Sequence, residues 1–418
     1  MIIFDKYIKK HAVNQPFINE NPEKDLQNII VIPCYNEPAI IPTLNSLISC
    51  KEPENSVEVI IVINSADNTD IEILEQNRRT KSEIDNRLVS FKSNKLKFHT
   101  IWIENIPNKF AGVGFARKVG MDEAIRRFSS TSNANGIITG FDADSLVSEN
   151  YLVEIENLFL NKPKLNGCSI YFEHPIKGTE FPDIIYRKIT EYELYLRYYS
   201  LALKQTDFPY YFHTVGSSFS VKAETYCKQG GMNRRKAGED FYFLQKIMPL
   251  GNYVYLNTTT VFPSSRPSDR VPFGTGAFIK SNIENPDKEF VTYNFEVFRN
   301  LNEFFKQIDK LFNTPFKYNN ISIHESLLEF LKKNEFAKAL AEINENTSNI
   351  NSFKKRFFQW FDAFRVLKYM NFAHENYYQK ITIKEAVNEY LNHFGKEHLY
   401  SKNVSELLKN LRQIEKAL

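Results

Sequence analysis

Before about residue 285 the apolar positions cluster in short runs, and after it they follow helical stripes. The runs at residues 28–33, 57–63, 97–103, 137–141 and 165–172 are bounded by polar, Gly or Pro positions and predict buried strands. Between them, residues 38–50, 70–90 and 112–128 predict helices. Pro38 suits a first helical turn, where no N–H partner is lost, and Ala116, Val119, Gly120 and Ala124 form a packing stripe. Strand alternating with helix through residue 160 predicts a mostly parallel sheet covered by helices on both faces.

Further on, a tyrosine-rich helix is expected at 181–204, a strand-like run at 213–221, a helix at 241–248 and a last strand at 258–262. Residues 263–276 are a loop dense in Ser, Pro, Arg and Gly. Glycines then nearly vanish, and helices are expected near 295–312, 323–345, 350–372, 383–394 and 402–417. The expected organisation is an N-terminal arm over 1–27, an α/β domain over 28–284 and a helical C-terminal region over 285–418.

Composition narrows the class. A chain of 418 residues exceeds the size at which single cores split, which agrees with two units. A hydrophobic fraction of 42% with 25% charged residues is that of a globular protein, and a net charge of +3 without a dense basic block points away from nucleic acid. No window has the run of roughly 18 apolar residues that a membrane span needs, and residues 1–10 lack the apolar core of a secretory signal. Cys34, Cys50, Cys168 and Cys227 lie far apart and without metal-like spacing, as expected in a reducing cytoplasm.

The candidate chemistry begins at Phe141-Asp142-Ala143-Asp144. Alternation along a strand turns both carboxylates to one side, at the sheet edge where open α/β folds bind ligands. Oxygen donors there suit a hard cation, Mg2+ or Mn2+, completed by phosphate oxygens. The plainer alternative is that Asp144-Ser145 caps the next helix. Glu37 likewise reads either as a ligand acceptor or as a first-turn carboxylate favoured by the helix dipole. Of the tyrosines at 186, 192, 195, 198 and 199, a core-packing role is favoured over an aromatic platform.

In order along the chain, Ile32-Pro33-Cys34-Tyr35-Asn36-Glu37, Gly112 to Gly120 with Ala116-Arg117-Lys118-Val119, the Asp-x-Asp motif, Gly216-Ser217, and Gly230-Gly231 followed by Gly238-Glu239-Asp240 resemble the GT-A family-2 glycosyltransferases. The resemblance covers roughly residues 28–262. It implies a Rossmann-like GT-A fold and transfer of a sugar from a UDP- or GDP-sugar to a hydroxyl acceptor, such as a saccharide, a lipid-linked group or a small metabolite. On this resemblance Pro33, Tyr35, Glu37 and Asp67 sit by the base and ribose, and Arg117, with Lys118 beside it, meets the diphosphate. Asp144 is the direct ligand of Mn2+ or Mg2+ and Asp142 contacts metal or ribose. Asp240 is the catalytic base, and Gly216, Ser217, His213 and Glu239 lie toward the acceptor. Arg266 and Arg270 form a diphosphate lid.

Bland readings stand beside these: His213 as a buried hydrogen-bonded histidine, Glu239-Asp240 as helix capping, and Arg270 paired with Asp269. Asn64-Ser65-Ala66-Asp67 departs from the adjacent aspartates with which many relatives read uracil. The basic, tryptophan-containing signature of processive synthases is absent, so a single addition with inversion is expected. Two alternatives remain open: a retaining GT-A enzyme that makes a small glycosylated metabolite, and a non-catalytic module that binds sugar nucleotide or protein. Peripheral contact with the inner face of a membrane and a homodimer are also open.

Overall fold

The computed structural model describes residues 2–13, 15–268, 274–285 and 288–418. The chain forms two compact units, one of residues 1–186 and 214–281 with Leu418, the other of 187–213 and 282–417.

The first unit is built on one eight-stranded sheet. Its strands are β1 (Leu26–Cys34), β2 (Ser56–Ala66), β3 (Leu96–Ile106), β4 (Ile137–Gly140), β5 (Leu146–Val147), β6 (Gly167–Phe172), β7 (Phe219–Lys222) and β8 (Tyr253–Phe262), in the order β3-β2-β1-β4-β7-β6-β8-β5. β1, β2, β3 and β4 are mutually parallel, as are β6 and β8. β7 runs antiparallel to β4 and β6, and β5 antiparallel to β8, so the sheet is mixed. Hydrophobic runs report burial and not direction, which is why the reversal of β7 is silent in them. Across the centre, the Thr139 hydroxyl donates to Asn28 Oδ1 at 3.0 Å and lies 2.7 Å from Ser220 Oγ, a buried polar line through β1, β4 and β7.

Helices α1 (Ile2–His11), α2 (Ile40–Ile48), α3 (Ile71–Leu88), α4 (Val113–Ser130), α5 (Tyr151–Asn161), α7 (Ala223–Lys228), α8 (Glu239–Ile247) and α9 (Thr275–Ile283) complete this unit, which also holds the first residues of α6 (Asp183–Lys204). The run at 213–221 is a strand only from Phe219; Ser218 N bonds to Val215 O in a turn before it. α4 lies close on the sheet because Gly120 has no side chain: a Cβ there would collide with Val31 and stand 3.1 Å from Val62 Cγ2. At its far end Arg127 forms a buried bidentate pair with Glu58 of β2.

The N-terminal arm is tied to α4 through two adjacent carboxylates, and Glu123 accepts from Phe17 N at 3.2 Å and from Ile18 N at 3.1 Å. Asp122 accepts from the Tyr7 hydroxyl at 2.6 Å, from Val13 N at 2.8 Å and from the Tyr226 hydroxyl at 2.8 Å, with Lys118 Nζ 2.8 Å away.

The second unit comprises most of α6, the short pair β9 (Val291–Thr292) and β10 (Ile381–Thr382), and α10 (Phe295–Phe305), α11 (Glu325–Lys333), α12 (Phe336–Glu345), α13 (Ile350–Trp360), α14 (Ala363–Asn376), α15 (Ile383–His393) and α16 (Val404–Lys416). The single helices expected at 323–345 and 350–372 are each two. The first breaks at Glu335, whose φ of 51° is left-handed, and the second at Asp362, whose side chain caps α14 by accepting from Arg365 N. Apolar residues recur at helical density on both sides of each break, which masks a change of phase: the buried face is Leu327, Phe330 and Leu331 before the first break and Phe336, Leu340 and Ile343 after it. Phe304, Phe305, Phe357, Phe358 and Phe361 are buried in the core of this unit.

α16 is joined to α6 by a buried ionic chain. Arg197, fully buried, pairs with Glu193 and Glu415, and Arg412 forms two bonds to Glu193 at 2.7 and 2.8 Å. Burial opposes the Glu415 charge, but Arg197 and His213 outweigh it and hold its pKa below the usual carboxylate value.

Replacing Asp122 by Ala removes the acceptor of three hydrogen bonds and leaves Lys118 buried without its counter-ion. The expected loss is about 3–5 kcal/mol in urea unfolding of the intact chain. A loss within the range of ordinary surface substitutions would show that the Asp122 cluster contributes little to this unit.

Candidate active site

Adjacent parallel strands end at the site. β1 and β4 pair with Val31 opposite Gly140, and Phe141 N continues the ladder to Val31 O at 3.1 Å. The chain then turns, with Ser145 N bonded to Asp142 O at 3.2 Å. Ala143 and Ser145 are buried, whereas the Asp142 and Asp144 side chains are 36% and 23% exposed, so both aspartates turn outward together. Thr43 of α2 donates to Ala143 O at 2.8 Å and fixes the turn. The capping alternative fails, because β5 intervenes and the next helix begins only at Tyr151 behind Asn150.

Arg117, near the start of α4, is 3% exposed and bonds Asp142 Oδ1 and Glu239 Oε1. Burial disfavours its charge, but Asp142 and Glu239 outweigh this and hold its pKa above the ordinary arginine value. Gly216 lies against the guanidinium, where a Cβ would collide with it. Glu239 is buried at the first position of α8, behind Gly238 in the left-handed region that glycine adopts without penalty. Arg117 Nε is buried and has no hydrogen-bond partner among the described residues.

A second cluster forms around Arg266, after β8. Its Nη1 donates to Glu37 Oε1 at 2.8 Å, and its Nη2 bonds both Glu37 Oε2 and, at 3.1 Å, Asp144 Oδ2. Glu37 is fully buried, and its Oε1 also accepts from Ala39 N at 3.0 Å. The Glu37 loop is set by α3: Asn36, at φ 49°, donates its N–H to Asn77 Oδ1 at 2.8 Å, and the Thr80 hydroxyl donates to Glu37 O at 2.6 Å. The sequence reading missed Asn77 and Thr80. Polar residues buried on the inner face of an otherwise charged helix were the available signal.

The remaining candidates divide. Pro33 is buried near the end of β1, Tyr35 is half-buried with its hydroxyl bonded to Thr69, and Asp67 is exposed after β2. Ser217 is buried with its hydroxyl 3.4 Å from Ser218 Oγ. His213 belongs to the second unit, where its Nε2 is 2.8 Å from Glu415 Oε1. Arg270 and Asp269 lie outside the described residues. Lys118, expected beside the diphosphate, is instead buried against Asp122 and Tyr7, because it points to the arm side of α4.

This network sets five carboxylates, Glu37, Asp142, Asp144, Glu239 and Asp240, against the two guanidiniums of Arg117 and Arg266. The surplus of negative charge has a consequence at Asp240. Burial first, and then the Glu239 charge, push its pKa up to about 7, while its Oδ1 accepts from Phe241 N at 2.7 Å. Among the described residues no group of three or more His, Cys, Asp or Glu is arranged to hold a metal ion. Asp142 and Asp144 still supply the hard oxygen donors that suit a divalent cation sharing its shell with a ligand.

No protein-family model matches the chain, and no curated protein matches it. Among solved structures it is similar to S. aureus TarS 1–349 in complex with UDP, at 14% identity over 94% of this chain and 90% of that one, with a TM-score of 0.37. The same protein in complex with UDP-GlcNAc aligns at 14% identity over 94% and 91%, with a TM-score of 0.38. The mannosyltransferase PcManGT from Pyrobaculum calidifontis, in complex with GDP-Man and Mn2+, aligns at 12% identity over 99% and 92%, with a TM-score of 0.37. These are distant likenesses. Among the described residues no helix is long and apolar enough to cross a membrane.

An unfolded aspartate titrates near pH 4, roughly, and Asp240 at about 7, so the native state binds this proton more tightly. Its contribution to stability is full below the lower value and is lost as pH rises through the upper one. Asp240→Asn cannot ionise and loses nothing over that window. Its melting temperature minus that of wild type is therefore expected to be larger at pH 8 than at pH 5, and a difference independent of pH would contradict the raised pKa.

Proposed function

We propose that the first unit is a metal-dependent GT-A glycosyltransferase that moves a sugar from a UDP- or GDP-sugar to a hydroxyl acceptor, by a single inverting addition. The observation that carries this reading is the turn after β4, which presents Asp142 and Asp144 together and connects them through Arg117 to Glu239, next to Asp240.

Asp144, with Asp142, would hold Mn2+ or Mg2+, and the cation's chemistry when bound is to stabilise charge on the departing diphosphate. With two protein carboxylates and no third ligand group among the described residues, metal and nucleotide are expected to bind together. Pro33, Tyr35 and Asp67, at the ends of β1 and β2, would meet the base and ribose. Glu37 acts on the donor through Arg266, which it holds beside Asp144. Gly216 and Ser217 border the acceptor side.

Asp240 is the base. As the acceptor oxygen bonds to the anomeric carbon, the bond from that carbon to the diphosphate oxygen breaks and the hydroxyl proton passes to the Asp240 carboxylate. A pKa of about 7 matches a base that must accept a proton in neutral solution and release it afterwards. Arg117 holds Glu239, the neighbour of Asp240, in place through their ion pair.

Thermal-shift titration with UDP, GDP, CMP and dTDP, each with and without Mn2+ or Mg2+, tests the donor class. One nucleoside diphosphate at about a hundred times its Kd is expected to stabilise wild type by ~2.7 kcal/mol in the presence of metal, and Asp144→Asn to abolish this. Asp240→Asn should keep the shift while losing transfer. If no nucleotide shifts wild type with or without metal, the transferase reading fails and a binding module takes its place.

A further inference from the structure

Two loops beside the site carry cations that the chemistry above does not use. Lys109 lies between β3 and α4, and Arg234, Arg235 and Lys236 lie just before α8; all four are exposed. The loops are joined where Lys236 Nζ donates to Asn108 Oδ1 at 2.8 Å. They are also seated against α4, where a Cβ on Gly112 would stand 3.0 Å from Lys236 Cα. Lys109 Nζ sits 4.8 Å above the Phe110 ring, with Arg234 5.8 Å from the same ring, and Arg235 stacks 3.6 Å over Tyr242. The rings hold the cations in place and leave their charges uncompensated.

Among the described residues none of the four makes an ion pair. The chain has 53 Lys and Arg against 50 Asp and Glu, so a concentration of four unpaired cations in two short loops is a local departure from near balance. The acids of the same segment do not answer them, since Glu239 is turned inward to Arg117. Asn233 joins collar and site directly: its Nδ2 donates to Glu239 O at 3.0 Å and its Oδ1 accepts from Arg235 N at 3.0 Å.

We propose that this collar is an anion subsite for the acceptor, and that the acceptor carries a phosphate group near the hydroxyl that reacts. The proposal rests on the reading of Asp240 as base. A hydroxyl at Asp240 and a phosphate at the collar sort themselves by charge, because the site's own carboxylates repel the phosphate while the collar draws it. None of the exposed large hydrophobic residues lies in either loop, so nothing there inserts into a bilayer, and the phosphate belongs to a water-soluble polyol or sugar phosphate.

Calorimetric titration of the full chain with glycerol 3-phosphate and with glycerol, in metal-free, low-salt buffer, tests this. Glycerol 3-phosphate is expected to bind wild type and Asp144→Asn alike, to weaken with added NaCl, and to bind R234Q/K236Q about tenfold less tightly. The melting temperature of R234Q/K236Q should fall by no more than an ordinary surface substitution causes, because both side chains and the Lys236–Asn108 bond are exposed. Equal binding of glycerol, absence of binding to wild type, or no effect of the double substitution overturns the proposal. Binding of phosphatidylglycerol vesicles without binding of glycerol 3-phosphate overturns it in favour of a membrane surface. The nucleotide titration keeps the two readings apart: it is expected to fail in Asp144→Asn and to survive in R234Q/K236Q.

Discussion

A guanidinium taken out of water is tolerated only when carboxylates meet it in good geometry, and Arg117 is met from two directions. Asp142 arrives on the turn after β4, and Glu239 on the first turn of α8. These segments are nearly a hundred residues apart in the chain, and the ion pairs with Arg117 are what register them against each other. Remove the charge at the centre and two buried or half-buried carboxylates repel across the gap. The same requirement explains the glycines, since Gly216 admits the guanidinium and Gly120 admits the helix that carries it.

The second arginine works differently. Arg266 is less buried than Arg117, and burial opposes its charge less than Glu37 and then Asp144 support it. It joins a strand end at one side of the sheet to the motif at its middle, and Glu37, fully buried, depends on it as much as it depends on Glu37. Together the two arginines leave part of the site's negative charge unanswered, and at Asp240 burial first and then the Glu239 charge raise the pKa.

Much of this was legible in the residues and some was not, for physical reasons. The Val and Ile runs of β1 and β2 declare buried strands because both faces are covered, and Asp142, Asp144, Glu239 and Asp240 stand out as charges beside apolar runs. What stayed hidden was pairing. Nothing in Arg117-Lys118 separates a guanidinium aimed at the site from an ammonium aimed at the arm, because one residue along a helix is a turn of about 100°. The direction of β7 was equally hidden, since burial carries no direction, and at Glu335 and Asp362 the density of apolar residues masks a change of phase. The partners of Glu37 are set by a loop conformation at Asn36 that composition does not dictate.

The reversal of β7 has one more effect. Phe219, its first residue, lies opposite Gly140, the last of β4, so the segment entering β7 crosses the same edge of the sheet at which β4 delivers its aspartates. Had β7 run parallel, Gly216 and Ser217 would sit at the opposite edge, about four residues' rise away, roughly 13 Å. The antiparallel strand thus gives the site a wall that arrives from outside the succession of crossovers. Because Gly216 on that wall abuts the Arg117 guanidinium, the direction of one short strand also decides what packs against the buried charge at the centre of the site.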